Sequence, residues 1–318
     1  MEPMVNKSSS LYNNYFLAFL LSDAGYDVWL GNYRGTEYSE GHVNLTVFDK
    51  RYWDFSFDEI GLIDIPAMLE VVQKETGRKG DIIFIGHSLG TTIGLVYASS
   101  FPEEAKRILK LFVLISPAAP LTNMISPYRL LAPFRDIILS VIESNDLIRI
   151  TSHATALKSI TKLICLESPV LMKRCLQAIN LFYGPLHQMP PDTVPVFLNQ
   201  FPAGTSTKVV KHAADMVLDH FGKYDYGWQN MARYGTFLPP AYNVSVIEVP
   251  TFLMYAVNDW ACTKKDALSL FDRLSPSAKI YGLFEVNVKY FNHIDFLFGK
   301  NVKSLAYDRL LNFLERLD

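Results

Sequence analysis

The feature that most constrains this chain is the run Gly86-His87-Ser88-Leu89-Gly90, because of what lies on either side of it. Residues 81–85 (DIIFI) are apolar and β-branched and predict a buried strand, and residues 91–100 predict a helix. A G-x-S-x-G motif between a strand and a helix is typical of a nucleophile elbow, on which a serine hydroxyl stands clear of the sheet. Glycine-sized residues on both sides let the strand and the helix approach closely. A glycine-rich turn with an incidental serine is the alternative, and the flanking pattern favours a nucleophilic Ser88.

A nucleophilic serine needs a base and a group that orients the base, and with such an elbow the chain order is serine, acid, histidine. Residues 249–257 (VPTFLMYAV) predict a buried strand that runs directly into Asp259. His293 lies in a loop before a predicted closing helix at 302–317. We therefore predict Asp259 as the acid and His293 as the base. Asp266 and Asp295 are the rival acids, but neither directly follows a strong strand pattern.

The chain has seven histidines, so His293 has six competitors. His87 lies inside the elbow, where a packing or hydrogen-bonding role is favoured over that of the base. The others lack a strand-end setting and are interpreted as surface or packing residues: His42, His153, His187, His212 and His220. No phosphate-binding glycine loop or cluster with metal-ligand spacing is visible, so we expect no metal and no organic cofactor.

Eight stretches of the chain resemble the acid lipase family, which includes gastric lipase, lysosomal acid lipase and many insect lipases. They are LAFLLSDAGYDVWLGNYRG (17–35), YWDFSFDEIGLIDIPAML (52–69), GHSLGTT, FPAGTSTK (201–208), YDYG (224–227), PPAYNVS (239–245), YAVNDW (255–260) and FNHIDFLFG (291–299). The resemblance implies an α/β-hydrolase fold and a lipid ester substrate, either a triacylglycerol or a sterol ester. Carried over position by position, it implies Ser88 as nucleophile, Asp259 as acid and His293 as base.

The chain departs from that family near its start. In the family an early strand ends in a His-Gly-Leu motif whose backbone N–H forms half of the oxyanion hole. No His-Gly pair precedes Gly86-His87 here, and MEPMVNKSSSLYNNYF cannot supply the early strands, so we expect the first strands to be missing. The Leu89 N–H would then be the remaining oxyanion donor, and one lost donor slows turnover about 100- to 1,000-fold. The alternative function is a catalytically weak or inactive relative that binds lipid.

Strand-like runs at 26–30, 81–85, 109–115, 249–255 and 278–284 are interleaved with helical patterns at 57–75 and 89–101. Such alternation predicts a mostly parallel central sheet flanked by helices. Between 116 and 247 the alternation fails, and the segment is proline-rich with a helical period. We therefore predict a discontinuous core at 1–118 and 248–318, with a helical cap at 119–247 over Ser88 and an apolar cavity beneath it.

The charge and the hydrophobic runs of the chain limit what it is expected to bind or to cross. A net charge of −2 argues against nucleic acid, and no apolar run is long enough to span a membrane. The chain shows no signal-peptide pattern, and FLAFLL (16–21) is interpreted as a buried helix. The resemblance implies an extracellular or lysosomal location and contact with a lipid droplet or emulsion surface.

Cys165, Cys175 and Cys262 are the three cysteines. The resemblance implies a cap disulfide between the first two, although their spacing equally fits two cysteines on one helix face. Sequons at Asn6, Asn44 and Asn243 would accept glycans only in the secretory pathway, and Asn243 is the best supported.

Overall fold

Four parallel strands form one sheet in the computed structural model, which describes residues 16–144, 164–185, 187–200 and 203–317. They lie side by side in chain order: β1 (Ile82–His87), β2 (Leu109–Ile115), β3 (Thr251–Ala256) and β4 (Leu283–Val286). Ile83 is level with Leu111, Phe112 with Thr251, and Leu253 with Leu283. Because every strand is parallel, all four carboxyl ends lie along the same edge of the sheet.

Both faces of the sheet are buried, and the alternation along β2 shows why. Phe112 and Leu114 belong to one hydrophobic cluster, whereas Leu111, Val113 and Ile115 belong to the cluster on the other face. Side chains of a strand point alternately to its two faces, so a strand covered on both sides becomes a continuous apolar run. This is the α/β-hydrolase-type architecture expected from the sequence, a parallel sheet flanked by helices.

Fourteen α-helical segments are assigned in the described part of the chain. Those before residue 118 are α1 (Leu17–Asp23), α2 (Phe57–Glu59), α3 (Ile65–Thr76), α4 (Leu89–Ser100) and α5 (Pro102–Ile108). Those between 118 and 247 are α6 (Tyr128–Leu131), α7 (Arg135–Ser144), α8 (Pro169–Tyr183), α9 (Val194–Gln200), α10 (Thr207–Val217) and α11 (Asn230–Tyr234). The last are α12 (Lys264–Arg273), α13 (Asp295–Phe298) and α14 (Asp308–Leu314).

Two expected strands differ from the structure. Residues 26–30 form no strand in the described sheet; Tyr26 and Val28 pack instead against the hydrophobic cluster that contains Leu111 and Val113. The strand expected at 278–284 is wrong in its first half, where Ala278–Tyr281 is a 3₁₀ helix. Gly282, with a φ of 72°, ends that helix, and β4 begins directly after it. A β-branched pattern thus makes a strand only where a neighbouring strand can complete the ladder.

The helix expected at 57–75 is interrupted. Ser56 and Glu59 form a capping box that starts α2, and Ile60–Asp64 is then π-helical before α3. Pro66 lies in the first turn of α3 and has no N–H to donate to the preceding turn, so the wider π turn accommodates it. The closing helix expected at 302–317 is also interrupted, because Lys303–Tyr307 is π-helical and precedes α14.

The segment 119–247 contributes helices and one isolated antiparallel bridge, Gly222 with Ala241, but no strand to the described sheet. Buried hydrogen bonds connect this segment to the core. Asp58 in α2 accepts hydrogen bonds from the Tyr224 N–H and the Tyr242 hydroxyl, and the Ser206 hydroxyl donates to the Phe55 carbonyl. None of the described helices has the length and apolar composition needed to cross a membrane.

Candidate active site

Ser88 sits on a strained turn between β1 and α4. Its φ of 52° and ψ of −120° lie in a region that non-glycine residues rarely adopt. The turn is held from both sides: the Ser88 N–H donates to the Ile115 carbonyl, 3.0 Å away, and the Thr91 hydroxyl donates to the Ser88 carbonyl at 2.5 Å. The half-buried Ser88 side chain is therefore presented at the carboxyl edge of the sheet.

The two glycines of the motif are not equally necessary. A Cβ on Gly86 would lie 2.7 Å from the Gly90 carbonyl carbon and 2.8 Å from the Thr91 nitrogen, so the turn requires glycine there. A Cβ on Gly90 would meet nothing within 4 Å outside its own helix. The expectation that both positions must be glycine-sized is therefore met sterically at Gly86, and these contacts do not impose it at Gly90.

Ser88, His293 and Asp259 come together in one chain of hydrogen bonds. The distance from Ser88 Oγ to His293 Nε2 is 2.8 Å, and that from His293 Nδ1 to Asp259 Oδ2 is also 2.8 Å. A carboxylate only accepts, which assigns the imidazole proton to Nδ1 and leaves the Nε2 lone pair facing the serine hydroxyl. Asp259 follows β3 and His293 follows β4, so the parallel strands deliver all three side chains to one edge.

Two backbone N–H groups hold the Asp259 carboxylate in place independently of the imidazole. Its Oδ1 accepts the N–H groups of Ala261 at 2.9 Å and Cys262 at 2.7 Å, which leaves Oδ2 for His293. Asp259 and His293 are 2% and 3% exposed, so this pair is shielded from water. A buried carboxylate with three donors is satisfied and cannot easily rotate away.

His87 lies beside His293. Its Nε2–H donates to the His293 carbonyl at 3.0 Å, and the two rings are 4.8 Å apart. Burial, helped by the neighbouring His293, lowers the pKa of His87 to about 3, so it stays neutral. His87 therefore contacts the backbone of the His293 loop and does not face Ser88 in this network.

The two rival acids lie elsewhere. Asp266 accepts hydrogen bonds from the Asn123 N–H and side-chain amide, at 3.0 and 2.8 Å, which ties the start of the 119–247 segment to α12. Asp295 accepts the Asn292 N–H at 2.9 Å and thereby folds the loop that carries His293. Its other oxygen, Oδ1, is buried without a hydrogen-bond partner, and burial raises the pKa of Asp295 to about 7.

Sequence reasoning missed the contribution of Tyr183, the last residue of α8. Its ring stacks on the His293 imidazole with centroids 5.4 Å apart and planes 15° apart. The Tyr183 carbonyl accepts the Trp260 N–H, and the Gly184 carbonyl accepts the Asn292 side-chain amide at 2.7 Å. The end of α8 thus contacts both the loop that carries Asp259 and the loop that carries His293. An aromatic residue before a helix-ending glycine was the available signal, although many core helices end that way.

Cys262 is the second feature that sequence reasoning did not connect with the site. Its thiol is buried close to Asp259 and His293, and burial together with the carboxylates of Asp259 and Asp266 raises its pKa. The other two cysteines, Cys165 and Cys175, form a disulfide that joins the segment before α8 to that helix.

The remaining predicted site residues lie outside the hydrogen-bond network. The Leu89 N–H occupies the first position of α4, where helix N–H groups have no partner within the helix. Asn44 and Asn243 are both exposed, and Asn6 lies outside the described residues. A cavity of about 470 Å³ opens among Arg34, Tyr52, Asp64 and their neighbours, so it is not the apolar cavity expected over Ser88.

Comparison with known proteins agrees with this architecture. The model of the alpha/beta hydrolase fold family matches residues 6–300. The chain is 34% identical over 307 residues to Lipase 1 of Drosophila melanogaster, covering 96% of this chain and 67% of that protein. It is 32% identical over 315 residues to gastric triacylglycerol lipase of Mus musculus (97% and 76% covered). It is 30% identical over 307 residues to human lysosomal acid lipase/cholesteryl ester hydrolase (95% and 74%).

The chain belongs to the alpha/beta hydrolase fold family, and within that family to the lipases.

The raised pKa of Asp295 makes the folded protein more stable at acidic pH than at neutral pH. Its native pKa of about 7 exceeds its ordinary value of 3.8, so between these values the native state holds a proton that the unfolded state releases. This contribution to stability is fully present below pH 3.8 and is lost as the pH rises through 7. The loss reaches up to about 4 kcal/mol.

We expect Asp295→Asn to flatten the dependence of the melting temperature on pH, since an amide oxygen still accepts the Asn292 N–H but nothing titrates. The measurement is thermal unfolding of both proteins from about pH 5 to about pH 8. The slope is the readout, because the new amide N–H adds a constant cost. Parallel curves would show that Asp295 does not titrate in this window.

Proposed function

We propose that this protein is a serine ester hydrolase that acts on neutral lipid esters, triacylglycerols or sterol esters. The observation that carries the proposal is the continuous chain of hydrogen bonds from Ser88 Oγ through His293 to Asp259, with both links at 2.8 Å. A serine hydroxyl whose proton faces an imidazole lone pair, on a histidine oriented by a buried carboxylate, is the arrangement that activates an alcohol for attack.

Acylation begins when Ser88 Oγ attacks the ester carbonyl carbon and its proton passes to His293 Nε2. Asp259 stabilises the resulting imidazolium through the Nδ1–H bond and keeps the ring in place. The tetrahedral intermediate then collapses. The bond to the alcohol oxygen breaks, and His293 returns the proton to the departing alcohol, leaving an acylated Ser88.

Deacylation repeats these steps with water. His293 Nε2 removes a proton from a water molecule, whose oxygen attacks the acyl carbonyl. Collapse of the second tetrahedral intermediate breaks the bond to Ser88 Oγ, which recovers its proton from His293. The products are the fatty acid and the free enzyme, so one histidine serves as base and acid in turn.

The negative charge on the tetrahedral oxygen needs hydrogen-bond donors. The Leu89 N–H is the donor that follows directly from the fold, since it comes one residue after the nucleophile at the N-terminus of α4. The partial positive charge of that helix end acts in the same direction.

The lipid ester substrate is inferred from the relatives. The names of the matched proteins describe a triacylglycerol lipase and a cholesteryl ester hydrolase. We propose that the helical segment 119–247 forms a cap over Ser88, because the end of α8 already packs on His293. A cap that excludes water from the acyl chain suits a hydrophobic ester. The protein would take this ester from the surface of a lipid droplet or an emulsion.

An extracellular or lysosomal location completes the proposal, again by similarity to the gastric and lysosomal enzymes. Asn44 and Asn243 would carry glycans there, since both side chains are exposed. A shift in mobility on treatment of the protein from its native source with a peptide N-glycosidase would support this.

The first test of the mechanism is labelling with a fluorophosphonate, which reacts only with an activated serine. We expect the parent to label at Ser88 and Ser88→Ala not to label. His293→Gln should label and hydrolyse a soluble ester at least about 10⁴-fold more slowly, by analogy with serine proteases. An unlabelled but folded parent would favour the alternative function, lipid binding without turnover. Labelling that persists in Ser88→Ala would contradict the assignment of the nucleophile.

The second test concerns Tyr183. Replacing it by leucine removes the aromatic face from His293, and such ring pairs contribute about 0.5–1.5 kcal/mol. We expect kcat to fall about 2- to 10-fold with little change in KM, and Tyr183→Phe to restore kcat.

Phe182→Leu is the matched control, since Phe182 is the preceding residue of α8 and its ring packs on Tyr128 at 4.7 Å. If Phe182→Leu lowered kcat as much as Tyr183→Leu, the effect would come from loosening α8 and not from the stacking on His293.

The third test addresses the oxyanion hole. We expect a version extended by a His-Gly-Leu strand to turn over esters about 100- to 1,000-fold faster than the 318-residue polypeptide, because one oxyanion donor contributes about that factor. Both are assayed on a short-chain ester and an emulsified triglyceride, per fluorophosphonate-reactive molecule. Equal turnover would show that another group already completes the hole.

A further inference from the structure

Three side chains of different chemistry meet at the centre of the site: the Asp259 carboxylate, the His293 imidazole and the Cys262 thiol. We propose that they form a binding site for a soft divalent cation, Zn²⁺ or a chemically similar ion, and that occupancy of this site switches off the hydrolase. The inhibition rests on the proposed function, whereas the binding of the metal does not.

The geometry is that of a compact ligand set. The ligand atoms of the three residues all lie within 4.8 Å of one another. Zinc bonds to oxygen, nitrogen and sulfur are about 2.0–2.3 Å long, which places tetrahedral ligand atoms about 3.5 Å apart. To close the site, the longest separation shortens by up to about 1.3 Å, and the 2.8 Å separation of His293 Nδ1 and Asp259 Oδ2 widens by about 0.7 Å as the metal replaces the proton between them. Three protein ligands leave a fourth position for water, as in many zinc sites.

The thiol is held in place by the same turn that holds the acid. Cys262 comes three residues after Asp259, and its own N–H donates to Asp259 Oδ1 at 2.7 Å. The Ala261 N–H donates to the same oxygen, so the backbone of this turn is fixed relative to the carboxylate. His293 enters from the loop after β4 and is already bonded to Oδ2. The three side chains are therefore already neighbours before a metal binds, and only small shifts are needed to form the site.

Charge balance favours a divalent ion in this position. The three residues are 2%, 2% and 3% exposed, for Asp259, Cys262 and His293, so an unbalanced charge there would be costly. A bound cation displaces the thiol proton to solvent, and the two charges of the metal then balance one thiolate and one carboxylate. A thiolate and an imidazole select zinc-like metals over Mg²⁺ and Ca²⁺, which prefer oxygen ligands.

Inhibition follows from the histidine tautomer. A metal on Nδ1 takes the lone pair of that nitrogen, and the ring proton moves to Nε2. Ser88 Oγ then faces an N–H donor in place of a lone pair, so its own proton has no acceptor. The metal also replaces the bond between Nδ1 and Asp259, which removes the orientation of the base. Hydrolysis stops without any change in substrate binding.

The test uses Cd²⁺ as a spectroscopic probe and Zn²⁺ as an inhibitor of the purified protein. Of the three cysteines two are in the disulfide, so Cys262 is the one free thiol and any thiolate-to-cadmium absorption band reports on it. We expect the parent to show this band at one cadmium per chain, to lose ester hydrolysis in parallel with zinc binding, and to regain it with EDTA. Mg²⁺ should do neither.

Cys262→Ala is compared with the parent, each relative to its own metal-free activity. We expect the band to disappear and the half-inhibitory Zn²⁺ concentration to rise more than about 100-fold, since loss of a ligand exceeds the effect of an outer contact. If the alanine variant does not fold, Cys262→Ser serves the same comparison. Absence of the band in the parent, or equal zinc sensitivity of parent and variant, overturns the proposal. A parent that binds cadmium but never hydrolyses esters refutes the proposed function and leaves the site.

Discussion

The parallel register of the sheet is the constraint on which the site depends. Because β1, β3 and β4 run in one direction, the turns that follow them leave the sheet along one edge and bring Ser88, Asp259 and His293 together from distant parts of the sequence. The strands are buried on both faces, so their positions are fixed by packing against two hydrophobic clusters. The strained turn at Ser88 persists only because this packing and the bonds to Ile115 and Thr91 over-determine it.

The helical segment 119–247 also contacts the loops that carry Asp259 and His293. Tyr183 and Gly184 reach both loops at once, through a ring face and two backbone carbonyls. The N–H groups of Ile125 and Ser126, from the start of the same segment, donate to the Trp260 carbonyl beside Asp259. A movement of this segment would therefore also act on the loops that carry Asp259 and His293.

The sequence predicted the parallel sheet and the proximity of Ser88, Asp259 and His293, because hydrophobic patterning indicates where strands end. Prediction from the sequence failed where the structure of a segment depends on the other segments that it contacts. Residues 26–30 have the composition of a strand but do not pair with the described sheet, and Gly282 shifts β4 by several residues. Tyr183 and Cys262 come close to His293 from segments distant in sequence, and periodicity carries no information about such contacts. The 119–247 boundaries of the cap remain a prediction from the proline-punctuated pattern.

The proposed roles of Ser88 and Leu89 are tested most directly by a crystal structure of the protein after reaction with a phosphonate ester, whose tetrahedral phosphorus mimics the intermediate. We expect a covalent bond from Ser88 Oγ to phosphorus, a phosphonyl oxygen about 3 Å from the Leu89 nitrogen, and an intact hydrogen bond between His293 and Asp259. A phosphonate attached to another residue, or a phosphonyl oxygen turned away from Leu89, would contradict it.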